Sequence, residues 1–350
     1  MSTAGTGIRT APPLPEDDPD ADPRGRWTGL GLRAWAWCRR VAPWVLAALV
    51  LVLVGVQART VDWPAVGQSL QLLSPARAAA AAFLALVSYG LCASFDLLGR
   101  RLTRHPLSVP RTVGIAAISY AFNVNFGAWI GGLGLRLRLY TRSGLSAPTV
   151  LQILAYSVTT NWLGYLWVGG SVLLVSPPQL PAAWVMHGTG LRAVGLAMLA
   201  AAGGYLALCR FARGRWLTWG RRSLALPGPG MAGIQALAGG ANWLLIGAIV
   251  WILLGGRIDY ASVLGAMLLA AVAGLVTHVP ANLGVLEAVV VAALGTRLPT
   301  HELLAALMAF RATYHLLPLA LALPAFGLAE AAARRTLPDT PSGRARAKSG

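Results

Sequence analysis

The chain has few charged residues, and acidic ones are the scarcest. Asp, Glu, Lys and Arg make up only 12% of its 350 residues, about half of the share usual in a soluble domain. Hydrophobic residues reach 56%, and the mean hydropathy is +0.61. Five of the 12 acidic residues lie within the first 22 positions. This composition excludes an ordinary cytosolic enzyme, and any acid inside an apolar run requires a partner or a cavity.

Cysteines and common catalytic motifs are also scarce. The three cysteines, Cys38, Cys92 and Cys209, are widely spaced, with no CxxC pair and no pair of histidines nearby. This excludes a disulfide framework and a cysteine-based metal site. The sequence contains no GxSxG, HExxH or Walker motif. We therefore expect no metal, no cofactor and no enzymatic activity.

Positive charge, in contrast, is abundant. The formal net charge is +17 at pH 7, which in a soluble chain would indicate a nucleic-acid partner. Here the arginines lie between long apolar runs, a pattern typical of the basic loops that orient a membrane protein. The charge therefore predicts a membrane protein without a nucleic-acid partner.

Long apolar runs account for most of the chain. A membrane-spanning helix needs about 20 apolar residues, and eight runs are candidates: 41–57, 78–98, 112–133, 150–175, 191–211, 231–254, 261–278 and 303–329. They predict an all-α polytopic membrane protein with a helical domain over residues 41–329. Residues 1–40 are expected to form a disordered cytoplasmic tail, since their first part is rich in Pro and Asp and lacks apolar periodicity. Residues 330–350 are expected to form a short basic cytoplasmic tail.

The arginine-rich segments predict the orientation. Basic residues concentrate before residue 41, in 99–111, in 210–222 and after residue 330, and all four segments favour the cytoplasm. Both termini are therefore predicted to be cytoplasmic. Eight plain crossings, however, would place the basic segment 210–222 outside. Two re-entrant hairpins, at 112–140 and 261–297, satisfy every basic segment, and we favour them over eight plain crossings.

Both predicted hairpins contain helix-breaking residues at mid-depth. The first reads Asn123-Val-Asn125-Phe-Gly127-Ala-Trp-Ile-Gly131-Gly132-Leu-Gly134, and the second reads His278-Val-Pro280-Ala-Asn282-Leu-Gly284-Val-Leu-Glu287. Each is followed by a turn that contains proline and then by a further apolar helix. The repeated order indicates an internal duplication with opposite insertion. Such inverted repeats are typical of transporters, whose sites lie where broken helices meet near the bilayer midplane.

The second break leads to charged residues that cannot face lipid. Glu287 heads an apolar run, where a carboxylate costs about 2.5–3.5 kcal/mol on insertion scales. Arg311 and His315 lie four residues apart on one helix face, with Tyr314 beside them. Arg311 is the natural partner of Glu287. Two interpretations are open for this pair. It is either a moving element, which acts as a gate or a proton-coupled switch, or a static brace.

The first break leads to a basic segment. Arg136, Arg138 and Tyr140 follow its glycines directly. Arginine binds phosphate through two parallel hydrogen bonds, and free amides at a helix terminus add positive potential. The segment therefore either holds a lipid phosphate or anchors the chain nonspecifically at the headgroups.

Three further polar residues lie in apolar surroundings. Asp96 ends the second apolar run, where it is either part of the site or the partner of the adjacent Arg100 and Arg101. Asn125 and Asn282 lie at the two breaks. Buried asparagines commonly join helices by hydrogen bonds, but their position at the breaks makes these two candidates for the site.

Three segments carry a family pattern. They are Ile118-Ser-Tyr120-Ala-Phe-Asn123 with Arg136-Leu-Arg138-Leu-Tyr140-Thr-Arg142, Pro280-Ala-Asn282-Leu-Gly284-Val-Leu-Glu287, and Phe310-Arg311-Ala-Thr-Tyr314-His315-Leu-Leu-Pro318. Together they resemble the transmembrane part of the lysylphosphatidylglycerol synthase/flippase family and its standalone relatives, the UPF0104 inner-membrane proteins. The resemblance covers roughly residues 78–329. It implies that Arg136, Glu287 and Arg311 surround a cavity for a lipid headgroup.

The chain departs from that family in two ways. In two-part members the membrane module is taken to flip aminoacylated phosphatidylglycerol, which a separate soluble domain makes from aminoacyl-tRNA. The present chain ends at Gly350 without such a domain, so we do not expect it to synthesise lysyl-lipid. Where the family usually has two glycines, this chain has Ala281 and Asn282, which leaves the identity of the substrate open.

These observations lead to a functional hypothesis. We expect a multi-pass protein of the bacterial cytoplasmic membrane that moves an anionic or aminoacylated phospholipid, or a lipid-linked molecule, between leaflets. Its partners would be membrane phospholipids, and a homo-oligomer is compatible with the sequence. The alternative is a non-transporting subunit whose basic loops dock a separate lipid-synthesising enzyme. An intramembrane enzyme is disfavoured, because no nucleophile or metal set accompanies the charged residues.

Overall fold

The computed structural model describes residues 63–177, 188–211, 216–219, 222–277 and 279–335. The predicted tail over residues 1–40 and the apolar run 41–57 lie outside these residues, as do His278 and the last 15 positions of the chain. All described residues belong to one compact unit, Leu53–Gly350. Apart from one short hairpin of strands, every element in the described part of the chain is helical.

Six helices in the described ranges are long and apolar enough to span a membrane: Pro75–Thr103, Ala147–Val175, Gly188–Phe211, Pro229–Leu253, Tyr260–Thr277 and Thr300–Ala329. Each coincides with a predicted apolar run. Their outer faces carry large exposed side chains such as Phe83, Leu237 and Val276, which a lipid environment would cover. The all-α polytopic membrane fold is therefore confirmed.

The first half of the described chain contains a short helix and a broken helical hairpin between two long helices. Its elements are α1 (Trp63–Gln71), α2 (Pro75–Thr103), α3 (Val109–Phe126), a first π-helix (Ala128–Leu135), α4 (Arg136–Arg142), α5 (Ala147–Val175) and α6 (Gly188–Phe211). Prolines near the first positions of α2, α3 and α5 suit helix starts, where no amide hydrogen bond is lost. Ser146 caps α5 by accepting a hydrogen bond from the Thr149 amide.

The second half repeats this order. Its elements are β1 (Trp216–Trp219), β2 (Arg222–Ala225), α7 (Pro229–Leu253), α8 (Tyr260–Thr277), a 3-10 turn (Pro280–Asn282), α9 (Val285–Leu294), α10 (Thr300–Phe310), a second π-helix (Arg311–Leu316) and α11 (Leu317–Arg335). The two strands pair antiparallel, with Trp216 opposite Ala225. This hairpin and helix α1 lie outside the eight apolar runs, and the sequence analysis predicted neither element. α1 has a marked apolar side and packs against α10.

Contacts between chain segments define two ends of the helix bundle. At the first, called the Arg100 end, the Tyr140 hydroxyl is 3.4 Å from the Thr112 carbonyl and Gly99 packs against Ile153. At the second, called the Arg77 end, Arg77 lies against Gly255. Ion pairs join Arg257 to Glu302 and Arg297 to Asp259 at the Arg77 end. The long helices run between the two ends.

The first hairpin, residues 109–142, begins and ends at the Arg100 end. Its chain reverses at Gly127, whose φ of 87° is readily adopted by glycine alone. A Cβ on Gly131 would lie 2.1 Å from the Asn123 amide nitrogen, so the two arms touch backbone to backbone. The 18-residue α3 is not among the membrane-spanning candidates in the described chain. The region 112–133 is therefore a broken hairpin and not a straight crossing.

The second hairpin, residues 260–294, begins and ends at the Arg77 end. Helices α8 and α9 pack against each other, and the Asp259–Arg297 ion pair closes the base. The chain reverses through Ala281 and Asn282, both with φ above 50°. α8 is long enough to span a membrane and α9 is a short apolar helix. Re-entry of this hairpin into the membrane therefore remains a prediction, but the break itself is confirmed.

The two hairpins enter from opposite ends and meet at one helix. The Asn125 side chain of the first donates a hydrogen bond to the His315 carbonyl, 3.1 Å away. Arg311, in the same second π-helix, contacts the tip of the second hairpin. The order long helix, broken hairpin, long helix thus occurs twice with opposite direction. This is the topology that the predicted inverted repeat requires.

Candidate functional site

Two ion pairs lie within the apolar core of the described bundle. One joins Glu287 to Arg311 and the other joins Asp96 to Arg136. The four side chains are each 11% exposed or less. Isolated charges in such surroundings are costly, so each pair is held by further hydrogen bonds.

The Glu287–Arg311 pair has two parallel bonds. Nε of Arg311 donates to Oε1 of Glu287 over 2.6 Å, and Nη2 donates to Oε2 over 2.9 Å. Oε2 also accepts a hydrogen bond from the Gly284 amide, 2.9 Å away, at the start of α9. A carboxylate at a helix N-terminus is favoured by the helix dipole. The predicted partnership of these two residues is confirmed.

Arg311 also holds the tip of the second hairpin. Its Nη1 and Nη2 each donate to a backbone carbonyl over 3.0 Å, those of Ala281 and Asn282 respectively. Ala281, Asn282 and Gly284 all have positive φ, a conformation that costs energy in residues other than glycine. In a regular helix these carbonyls would accept hydrogen bonds from backbone amides. In this irregular segment the Arg311 guanidinium donates those hydrogen bonds instead. The arrangement therefore both pairs a charge and braces a strained turn.

The asparagines at the breaks join the hairpins to their neighbours. Asn282 donates to the Ala270 carbonyl over 3.0 Å, while its Oδ1 has no hydrogen-bond partner among the described residues. Gly274 makes room for it, since a Cβ there would lie 2.4 Å from that oxygen. Asn125 bonds to the Ala121 carbonyl in its own helix as well as to His315. Both asparagines therefore lie where the sequence placed them, at the tips.

The Asp96–Arg136 pair lies between the middle and the Arg100 end. Nη2 of Arg136 is 3.1 Å from Oδ1 of Asp96, and the Tyr140 hydroxyl donates to Oδ2 over 2.8 Å. The same guanidinium lies 3.5 Å from the Ser157 hydroxyl. Asp96 and Tyr140 are completely buried.

This geometry excludes the alternative in which Asp96 pairs with Arg100 or Arg101. Arg100 instead donates to the Leu107 carbonyl over 2.6 Å. Asp96 belongs, with Ser88 and Cys92, to the buried residues of α2, whereas Arg100 and Arg101 lie in its last turn. Arg136 is turned into the core toward Asp96, and Arg138, two positions later on the same helix, is exposed.

His105 is a buried neighbour of this cluster that the sequence analysis missed. It lies in the loop between α2 and α3, with its ring centre 6.2 Å from that of Tyr140. Neither ring nitrogen has a hydrogen-bond partner among the described residues. Burial lowers the pKa of His105, and the nearby Arg100 lowers it further.

A cluster around Tyr314 lies between the two ion pairs. The Tyr314 hydroxyl is 3.1 Å from that of Tyr120 and 3.3 Å from the Ser88 hydroxyl. Ser88 also donates to Asn242 over 2.6 Å, and Tyr89 donates to the Tyr314 carbonyl over 2.9 Å. Among these residues the sequence analysis proposed only Tyr314 as a site residue. Ser88 could have been found, because it shares the i, i+4, i+8 face of α2 with Cys92 and Asp96.

His315 adds no charge partner in the described structure. Its side chain is 8% exposed, packs edge-on against Phe310, and has no hydrogen-bond partner for Nδ1 among the described residues. Only its backbone carbonyl links it to Asn125. It therefore lies beside the pair without joining it.

The described side chains offer charges and hydroxyls but no metal-binding cluster. Within the described ranges no group of three His, Cys, Asp or Glu residues is arranged to hold a metal ion. Glu287, Arg311, Asp96 and Arg136 can bind opposite charges if their pairs open. The tyrosine cluster supplies hydroxyls between them. The arrangement can therefore bind a charged group.

Comparison with known proteins identifies relatives over most of the chain. The inner membrane protein YbhN of Escherichia coli strain K12 is 37% identical over 302 residues, which cover 86% of this chain and 95% of that protein. The uncharacterized protein slr0712 of Synechocystis sp. is 30% identical over 312 residues, covering 85% of this chain and 95% of that protein. No protein-family profile matches the chain. The matched regions include the great majority of the helical domain.

Proposed function

The chain belongs to the bacterial inner-membrane protein family that includes YbhN of Escherichia coli, and on that premise we propose that it moves a phospholipid between the leaflets of the membrane. The substrate would be an anionic or aminoacylated phospholipid, or another lipid-linked molecule with a polar head. The resemblance to the lysylphosphatidylglycerol synthase/flippase family and the UPF0104 proteins supports this assignment. The protein would act as a transporter and not as an enzyme.

The observation that carries the proposal is the Glu287–Arg311 pair where the tips of two oppositely inserted hairpins meet. Inverted-repeat transporters place their sites at such broken helices near the midplane. Both side chains retain about a tenth of their exposure, so the pair borders accessible space more than the fully buried Asp96 does. A headgroup carrying phosphate and amine could replace each partner of the pair in turn.

The Asp96–Arg136 ion pair would form a second binding site for the lipid headgroup, in addition to the Glu287–Arg311 pair. Asp96 and Arg136 lie toward the Arg100 end, and the hydroxyls of Ser88, Tyr120 and Tyr314 lie between them and the hairpin tips. A polar head could therefore exchange hydrogen bonds along this row while its acyl chains remain in lipid. Because the sequence has no Walker motif for ATP, a proton gradient or the membrane potential would drive any net movement.

We propose that the Arg100 end faces the cytoplasm. Arg100, Arg101, Arg104 and Arg111 cluster there, whereas Asp259 and Glu302 neutralise arginines at the Arg77 end. This difference follows the positive-inside rule. A reporter inserted at residue 220 tests the orientation: cytoplasmic activity supports it, and activity on the outer side contradicts it.

The decisive experiment measures leaflet exchange of headgroup-labelled phosphatidylglycerol in proteoliposomes, with and without a proton gradient. The sharpest variant is the double change Glu287→Gln and Arg311→Gln. It removes both charges at once, so that neither residue is left as an unpaired buried charge. Arg297→Gln is the matched control, because it removes an arginine from an exposed ion pair at the Arg77 end.

We expect the native protein and the control to exchange lipid, and the folded double variant to fall to the rate of protein-free vesicles. Exchange at the native rate in the double variant would show that the pair is only a brace. Absence of exchange in the folded native protein under both conditions would contradict translocation itself.

One observation favours a second candidate function. Arg311 donates to Glu287, Ala281 and Asn282 together, so it is well satisfied as a fixed structural element. A static brace suits a non-transporting membrane subunit that docks a lipid-synthesising enzyme through basic loops. That role predicts co-purification of such an enzyme with the native protein and no lipid exchange in proteoliposomes.

A further inference from the structure

A cavity of about 620 Å³ opens at the Arg77 end, away from both buried ion pairs. Its wall is formed by α1, the loop after α7 and the start of α10. Cavities of 300–1,000 Å³ are typical of sites for small molecules. None of the residues assigned to the central site lines it.

Two arginines with different surroundings line this cavity. Arg77, at the start of α2, makes no ion pair with any residue that the structure describes, and it is exposed. Arg257 is paired with Glu302, which also lines the cavity. The described arginines and carboxylate of the cavity therefore carry one excess positive charge.

Gly255 fixes the position of Arg77. It has a φ of 70°, and a Cβ on it would lie 2.6 Å from Nη1 of Arg77. The guanidinium therefore lies directly against the backbone of the loop that follows α7. Arg77 lines the cavity, and a guanidinium has the planar arrangement of N–H donors that matches two oxygens of a phosphate.

The remaining wall contains the polar side chains of Gln68, Ser69 and His301, and its other members are leucines and alanines. Leu253 and Leu254 are buried beneath it, whereas Leu72, which also lines the cavity, is 84% exposed. Leu72 thus lies at a cationic cavity and directly after α1, which has an apolar side. An acyl chain of a lipid would cover this exposed leucine. A free inorganic ion would leave this apolar surface uncovered.

We infer that the cavity binds an anionic phosphate-bearing amphiphile, with its phosphate at Arg77 and Arg257 and its acyl chain along Leu72. Arg257 would exchange the Glu302 carboxylate for the phosphate as the ligand enters. The inference goes beyond lipid translocation and does not require it. Under the proposed orientation the site would lie at the outer leaflet.

The test is calorimetric titration of the purified full chain, in a neutral detergent, with dihexanoyl-phosphatidylglycerol. The test variant is Arg77→Gln combined with Arg257→Gln. The matched control is Arg192→Gln, because Arg192 is exposed on the first turns of α6, near the same end of the bundle, and does not line the cavity. Glu302→Gln is a second variant, which frees Arg257 from its internal partner.

We expect the double variant to bind at least tenfold more weakly, the control to bind like the native protein, and Glu302→Gln to bind more tightly. The tighter binding cannot result from misfolding. Binding by the double variant within twofold of the native value would overturn the inference. Equally tight binding of inorganic phosphate would assign the site to a free ion, and equally tight binding of dihexanoyl-phosphatidylcholine would remove its preference for anions.

This outcome is separable from the proposed function. If the double variant loses calorimetric binding of dihexanoyl-phosphatidylglycerol and the native protein exchanges no lipid in proteoliposomes, the cavity is a lipid site and translocation is rejected. Exchange by the native protein with no effect of the two arginines on binding would retain translocation and reject the cavity.

Discussion

The two hairpins reach the same π-helix but are held in different ways. The tip of the first is closed by backbone contact between Gly131 and Asn123, and its ion pair, Arg136 with Asp96, lies nearer its base. The tip of the second contains consecutive residues in left-handed conformation and is closed by the guanidinium of Arg311.

The difference shows what each break requires. A glycine-rich chain can reverse and pack against itself without help from a charge. A chain with alanine and asparagine at the reversal needs an outside donor for its carbonyls. In this protein that donor is the same arginine that pairs with Glu287. In the second hairpin, therefore, one residue both holds the turn and forms the ion pair. In the first hairpin, different residues close the turn and form the ion pair.

The largest expected effect follows from Arg311→Gln. The change leaves Glu287 charged and unpaired at the hairpin tip, and loss of one partner of a buried pair costs about 3–5 kcal/mol. The thermal midpoint of the protein in detergent should fall strongly. Arg297→Gln, in the exposed pair with Asp259, should cost less than about 1 kcal/mol. Equal losses of stability in the two variants would contradict the role of Arg311 as a brace of the second hairpin.

Gly131→Ala tests the first hairpin in the same way. The added Cβ would collide with the backbone of Phe122 and Asn123, which cannot move as a flexible side chain would, and overpacking costs about 1–3 kcal/mol. Gly114→Ala is the matched control on the same hairpin, because no atom lies within 4 Å of its Cβ. The control should be neutral or stabilising, since alanine favours helices. A neutral Gly131→Ala would mean that the arms can separate without loss.

Much of this architecture was predictable from the pattern of apolar runs and arginines. Broken hairpins satisfied the charge rule where straight crossings did not. The reversals lie within the predicted break segments, at Gly127 in the first hairpin and at Ala281 and Asn282 in the second. The pairing of Glu287 with Arg311 followed from charge alone, because few acids exist in the helical domain. These predictions rest on local composition, which the sequence displays directly.

The contacts that need three-dimensional packing were not predictable. Asp96 pairs with Arg136, 40 positions away, because the first hairpin folds back against α2, and the distance along the chain conceals this. Ser88 and Tyr120 appear in the sequence as ordinary helix residues. Their hydroxyls meet Tyr314 only because three helices cross at that depth.

Tyr314→Phe should lower the stability of the protein by an intermediate amount. It removes the hydroxyl that contacts Ser88 and Tyr120, and a buried hydrogen bond contributes about 0.5–1.5 kcal/mol. Combined with Tyr120→Phe, the loss should be less than the sum of the two single losses, because both changes remove one contact. Tyr260→Phe, whose hydroxyl bonds to Leu244 instead, should be additive with Tyr120→Phe. Additivity in both pairs would exclude the shared cluster.

The smallest expected effect concerns pH at the bases of the two hairpins. Burial, and secondarily Arg100, lowers the pKa of His105 below its usual value of 6.5. The folded state therefore binds fewer protons at this site than the unfolded state, and stability declines as the pH falls below about 6.5.

At the base of the second hairpin, burial raises the pKa of Asp259, but hydrogen bonds from Ser262 and the Arg297 charge outweigh it and leave the pKa lowered. Its contribution is lost only below the usual range of a carboxyl group, so it is constant between pH 8 and 5. In that range the thermal midpoint of His105→Gln should fall less than that of the native protein. Parallel curves for the two proteins would show that the pKa of His105 does not differ between the folded and unfolded states. The base of the first hairpin would then be no more sensitive to pH than that of the second.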